Sequence, residues 1–169
     1  AAHQRGIEIW AVGKLNELGG HPDAVATNTW PFFYGGRLLE KFPVLDRYGV
    51  LQQGGTVNFA TPEARQAVVD LVMGVLDGDR YDGVAFLSYA ENHSQRYTDE
   101  FGYNPPIAEE FKKRFGIDPR FEEFSRTGSR EDWVRLRGEY LSDYLRALKV
   151  RLGKNHQKLG LFINPWHAH

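Results

Sequence analysis

The sequence predicts an α/β fold built on a parallel sheet. Three observations point there. Short apolar runs end abruptly in polar clusters, as buried parallel strands do. Amphipathic stripes of helical period lie between them. The connections are long enough for crossovers from one parallel strand to the next.

The clearest strand is Val84 to Tyr89, in Tyr81-Asp82-Gly83-Val84-Ala85-Phe86-Leu87-Ser88-Tyr89. It is bounded by Asp82-Gly83 and by Glu91-Asn92-His93-Ser94. Ile7 to Val12 reads as an earlier strand, entered through Gly6 at the end of a helical turn. Leu159 to Asn164 reads as a third.

Thr61-Pro62 opens a helix, with Thr61 as N-cap and Pro62 in the first turn. Val68, Leu71, Val72 and Val75 form its apolar face, and Asp77-Gly78-Asp79 ends it. Pro105-Pro106 begins a shorter helix with Ile107, Phe111 and Phe115 on one stripe, closed by Gly116. Ser129-Arg130-Glu131-Asp132 matches a capping box. The longest helix follows, with the stripe Trp133, Leu136, Tyr140, Leu141, Tyr144, Leu145, Leu148 and Leu152, and ends near Gly153.

Gly13 to Thr61 is mostly loop, rich in Gly and Pro. Phe42 to Gly49 and Val57 to Phe59 suggest a packed excursion with a small hairpin. A loop of this length inside a domain is usually functional.

The order is strand, loop, helix, strand, loop, helix, strand. No Gly-x-Gly-x-x-Gly follows a strand and no Walker-type lysine loop is present, so nucleotide-binding folds lose their main support. The order fits part of a (β/α)8 TIM barrel with parallel strands near 7–12, 84–89 and 159–164, long βα loops and crossover helices. The first strand has almost no helix before it and the last has none after it. Residues 1–169 therefore read as one incomplete barrel domain, truncated at both ends.

Composition narrows the function classes. The net charge is −1 and the chain shows no basic stripe, which argues against a nucleic-acid partner. No apolar run approaches the roughly 18 residues of a membrane span, and no signal peptide is evident in this chain, although a secreted or periplasmic full-length protein would be compatible. Cysteine is absent, which excludes disulfides, thiolate metal sites and cysteine nucleophiles within this chain. Four Trp, eight Tyr and eleven Phe make the chain rich in aromatics, most of which are expected to fill a core. Aromatic rings in loops are what sugar-binding clefts use.

In a barrel, chemistry gathers at the carboxyl ends of the strands. Glu91, two residues past the second strand, is the first candidate for a general acid, base or nucleophile. Asn92 and His93 lie beside it, and Asp99-Glu100 supplies further carboxylates. Asn164 and Trp166 follow the third strand at the same rim, where Trp166 suits stacking on a sugar. Asp82 precedes its strand and so belongs to the opposite, stabilising end. Glu8, inside an apolar strand, needs a buried partner or a bond to a flanking helix. His167-Ala168-His169 has the spacing of a metal pair. No further ligand has suitable spacing, so no metal or other cofactor is assigned.

Taken in order, these segments resemble the glycosyl-hydrolase-like proteins related to family-ten glycosidases, a bacterial (β/α)8 group. The matching segments are Arg5-Gly6-Ile7-Glu8-Ile9-Trp10, Phe42-Pro43, Asp46-Arg47-Tyr48-Gly49 and Val57 to Arg65. Tyr81-Asp82-Gly83-Val84, Phe101 to Pro106, Phe115 to Pro119 and Trp133 to Tyr140 complete the series. The resemblance implies a carbohydrate substrate and hydrolysis of a glycosidic bond. Such hydrolysis uses two carboxyl groups, about 5–5.5 Å apart for retention or about 6.5–9.5 Å for inversion. Glu91 is expected to be one of the pair, and Asp99 or a residue outside this chain the other. Trp10, Tyr89, Asn92, His93, Asn164 and Trp166 are expected to line the cleft. In one respect the chain departs from the group: where many relatives carry an acid in the strand after Asp-Gly-x-x-Phe, this sequence has Leu87. A carbohydrate-binding or scaffold barrel without catalysis is the alternative.

Overall fold

A computed structural model describes residues 2–15, 41–50, 57–78, 80–87, 101–122 and 129–162. Within them lies a three-stranded parallel sheet with helices packed on it. The strands are β1 (Trp10–Lys14), β2 (Gly83–Leu87) and β3 (Lys158–Phe162), in the spatial order β1-β2-β3. The helices are α1 (Pro62–Val75), α2 (Pro105–Phe115) and α3 (Ser129–Lys154). A 3-10 turn, His3–Arg5, precedes β1 and closes on Gly6, whose φ of 69° is easily reached without a side chain.

The predicted strands and helices within the described residues are present, with shifted edges. The first strand was expected from Ile7. Its ladder begins at Trp10, paired with Gly83, and runs to Lys14 opposite Leu87. The residues before it are held differently. The Ile9 amide donates to the Asp82 carboxylate at 2.7 Å, and the Ile9 carbonyl accepts from the Asp82 amide at 2.8 Å. Asp82 thus fixes where β1 starts. Its own carbonyl accepts from the Lys158 amide at 2.8 Å, so it also fixes the start of β3. The assignment of Asp82 to the stabilising end of the sheet agrees with this geometry. Residues 88, 89, 163 and 164, expected to extend two of the strands, lie outside the described residues.

Both crossover helices bury their stripes on the same face of the sheet. Val84 and Phe86 of β2 pack against Ala64, Val68, Val69 and Val72 of α1 and against Tyr144, Leu148 and Leu152 of α3. Ala11 and Leu159 flank them from the outer strands. Thr61 caps α1 as expected, its hydroxyl accepting from the Ala64 amide at 3.3 Å.

Tyr144 sits in this core, its ring stacked on Phe59 with centroids 4.8 Å apart. Burial pushes its phenol well above the usual range. Its hydroxyl has no hydrogen-bond partner among the described residues, and an unmet hydroxyl in a core costs stability. Tyr144→Phe keeps the stack and is expected to raise the unfolding free energy by about 1 kcal/mol in a urea titration. A loss of that size would show that the hydroxyl is bonded in the folded protein.

A second core lies at the amino-terminal half of α3. Trp133 is fully buried between Tyr103, stacked at 5.0 Å, and Phe111, edge-on at 5.4 Å. Ile107, Leu136 and Ala60 complete it. Phe115, placed on the same stripe by the sequence, is 39% exposed while its ring leans on Phe111 at 4.6 Å. It covers the edge of this core and does not enter it.

Within the first excursion the Asn58 amide donates to the Phe42 carbonyl at 3.0 Å, and the two excursions also pair with each other. Asp46 forms an isolated antiparallel bridge with Phe101. The Leu45 carbonyl accepts from the Gly102 and Tyr103 amides at 2.8 and 3.0 Å. Asn104, at the N-cap position of α2, does not cap that helix with its side chain. Its amide instead donates to the Pro43 carbonyl at 2.8 Å, and its side-chain oxygen accepts from the Leu45 amide at 3.2 Å. A single buried Asn thus satisfies backbone groups of the first excursion from the second.

Past α2, Asp118 is buried beneath Arg120, whose guanidinium donates to both carboxylate oxygens at 2.9 Å. That fork, aided by the Arg120 amide and Lys112, outweighs burial and holds the Asp118 carboxyl at about 2. A carboxyl lowered by folding stabilises fully above its unfolded value, near 3.9, and loses that contribution as pH falls through about 2. Asp118→Asn is therefore expected to cost about 2 kcal/mol at pH 7 and to flatten the acid limb of a stability–pH curve. Parallel curves for the parent and the variant between pH 2 and 5 would refute the assignment.

Candidate functional site

Of the residues expected to form the site, Trp10 lies within the described residues. Tyr89, Glu91, Asn92, His93, Asp99, Asn164 and Trp166 lie outside them, as do His167 and His169. What is described is the scaffold from which those segments depart. β2 and β3 end side by side, Leu87 paired with Phe162, and Leu15 follows β1 with its amide bonded to the Leu87 carbonyl at 3.1 Å. From this carboxyl end the chain continues toward Tyr89, Glu91 and Asn92 on one strand and toward Asn164 and Trp166 on the next.

Trp10 sits at the other end of the sheet. It opens β1 opposite Gly83, so the length of the strand separates its backbone from the carboxyl end. Its ring lies on the sheet face opposite the helices. There Gly83 and Gly160 make room for it: a methyl group on either would lie 3.0 or 3.3 Å from the indole Cζ3. The indole therefore reaches from β1 across β2 to β3. With Val12, Ala85, Gly160 and Phe162 it lines a shallow apolar depression. The face is open: Val12 is 62% exposed and Phe162 58%.

The charged groups near Trp10 form a chain along the amino ends of the strands. The indole N–H donates to Glu8 at 3.1 Å, and Glu8 pairs with the Lys158 ammonium. Glu8 precedes β1 and pairs across two strands while half exposed, which corrects the expectation of a buried acid inside a strand. Gly83 lies between Trp10 and Lys158 in the sheet, so the pair links the two outer strands across β2. His3 bonds the Asp82 carboxylate at 2.9 Å.

The hydrogen bond from Lys158, and next the one from Trp10, hold the Glu8 carboxyl below its usual range. The Ile9 amide, and next His3, do the same for Asp82. Lys158 is shifted upward by Glu8. Glu8, Asp82 and Lys158 are thereby held in their charged forms. A general acid needs the opposite tuning, toward a raised carboxyl. Each described carboxyl whose titration is displaced, Glu8, Asp82, Glu110 and Asp118, is displaced downward.

The sequence matches no family model and no curated protein.

Two features of this surface were not anticipated from sequence. One is the Glu8–Lys158 pair, whose members stand 150 positions apart in the chain. The other is a groove along α1 lined by Asp70, Leu71, Gly74, Val75, Asp77, Arg80 and Tyr81. The groove follows the carboxyl end of α1 and the turn leading into β2, so it lies toward the amino end of the sheet. Among the described residues no group of three or more His, Cys, Asp or Glu could hold a metal ion, and no helix is long and apolar enough to cross a membrane.

Proposed function

We propose that this chain forms part of a (β/α)8 barrel acting as a glycoside hydrolase, with Glu91 as one catalytic carboxyl and Asp99 as the other. The observation that carries the proposal is the winding of the sheet. Three parallel strands follow one another in chain order, and α1 and α3, the helices of their successive crossovers, pack on one face. One half of a doubly wound sheet winds the same way, but no Gly-x-Gly-x-x-Gly or Walker-type lysine loop follows a strand in this sequence. A barrel places its helices all outside and leaves the inner face to the barrel interior.

In that frame the chain leaves the carboxyl ends of β2 and β3 toward Glu91 and toward Asn164 and Trp166, at the end where barrel enzymes work. The downward displacement of the carboxyls at the amino end supports looking for the acid elsewhere. Carbohydrate is the substrate class: Tyr89 and Trp166 would offer stacking faces, and Asn92, His93 and Asn164 would bond hydroxyls. No cofactor enters the mechanism. One carboxyl protonates the leaving oxygen while the other attacks the sugar or activates water.

Leu87 favours a second reading, a carbohydrate-binding barrel without catalysis, because it stands where relatives of the resembled group carry an acid. One experiment separates the two. The full-length protein is assayed on a panel of polysaccharides beside its Glu91→Gln form. Loss of about 10²-fold in kcat with little change in binding is expected for the hydrolase. Binding with no hydrolysis by either form supports the second reading, and equal hydrolysis by both removes Glu91 from the mechanism.

A further inference from the structure

We draw no further inference here: the strongest candidate, the bare face of the sheet around Trp10, Val12, Ala85, Gly160 and Phe162, carries nothing because nothing in the structure shows what covers it.

Discussion

Replacing Trp133 by alanine is expected to remove about 4 kcal/mol of stability and to lower the melting temperature by about 10 °C. The indole is fully buried at the point where three segments meet. Tyr103 comes from the second excursion, Phe111 from α2, and Leu136 from the next turn of α3. The Arg137 guanidinium lies 5.9 Å from the indole centroid, and that of Arg47 lies 5.4 Å from the Tyr103 centroid, so the stacked rings carry a cation on either side. Truncation removes apolar contact and leaves a cavity that rigid aromatic neighbours fill poorly, the two contributions that make core truncations expensive. Trp133→Phe keeps much of the contact and is expected to cost less than half as much. The comparison is made by circular dichroism during heating. A drop of only one or two degrees for the alanine form would mean that this second core adds little to the folded state.

Gly83→Val is expected to cost about 3 kcal/mol, the upper part of the range for overpacked sites. The reason is specific to the pairing of β2 with β3. A β-carbon at position 83 would overlap the Lys158 carbonyl oxygen and lie 3.0 Å from its carbon. That obstacle is backbone, and it cannot swing aside as a side chain can. It is also tied down, because the Lys158 amide is bonded to the Asp82 carbonyl one residue away. Relief requires β3 to move, and Trp10 Cζ3, also 3.0 Å away, must yield as well. Gly160→Ala is the graded control. Its added methyl would sit 3.3 Å from both the Ala85 β-carbon and the indole, a crowding that small shifts relieve, and it is expected to cost about 1 kcal/mol or less. Equilibrium unfolding in urea ranks the two. Equal stabilities would show that the register at Gly83 is looser than the geometry requires.

What could be read from the sequence divides along a physical line. Features determined by neighbours in the chain were legible. The stripe on α3, the Thr61 cap and the Gly116 stop on α2 are local, and each is where its residues put it. The apolar run of β2 was legible because it is buried on both its pairing sides and against the helices. The edge of β1 was not. Ile7 and Ile9 look like strand residues, yet a side chain 73 positions away takes the Ile9 amide and moves the ladder forward to Trp10. Pairing between the excursions was equally hidden, since Asn104 announces a helix start and spends its side chain on Pro43 and Leu45. For the candidate site, the sequence supplied the residue types and the end of the sheet to examine. The Lys158 partner of Glu8 could not be read, because an ion pair between residues 150 positions apart leaves no local signal.

The tie between Pro43–Asp46 and Phe101–Asn104 has a consequence for motion. These segments belong to different crossovers, one between β1 and β2 and the other between β2 and β3. Four hydrogen bonds join them, two between backbone groups and two to the buried Asn104 side chain. Neither can open without releasing the other, so they form a single cooperative unit. The amide protons of Leu45, Gly102 and Tyr103 should then exchange with solvent deuterium at one common opening free energy, and loss of the Asn104 side chain should lower it for all three together.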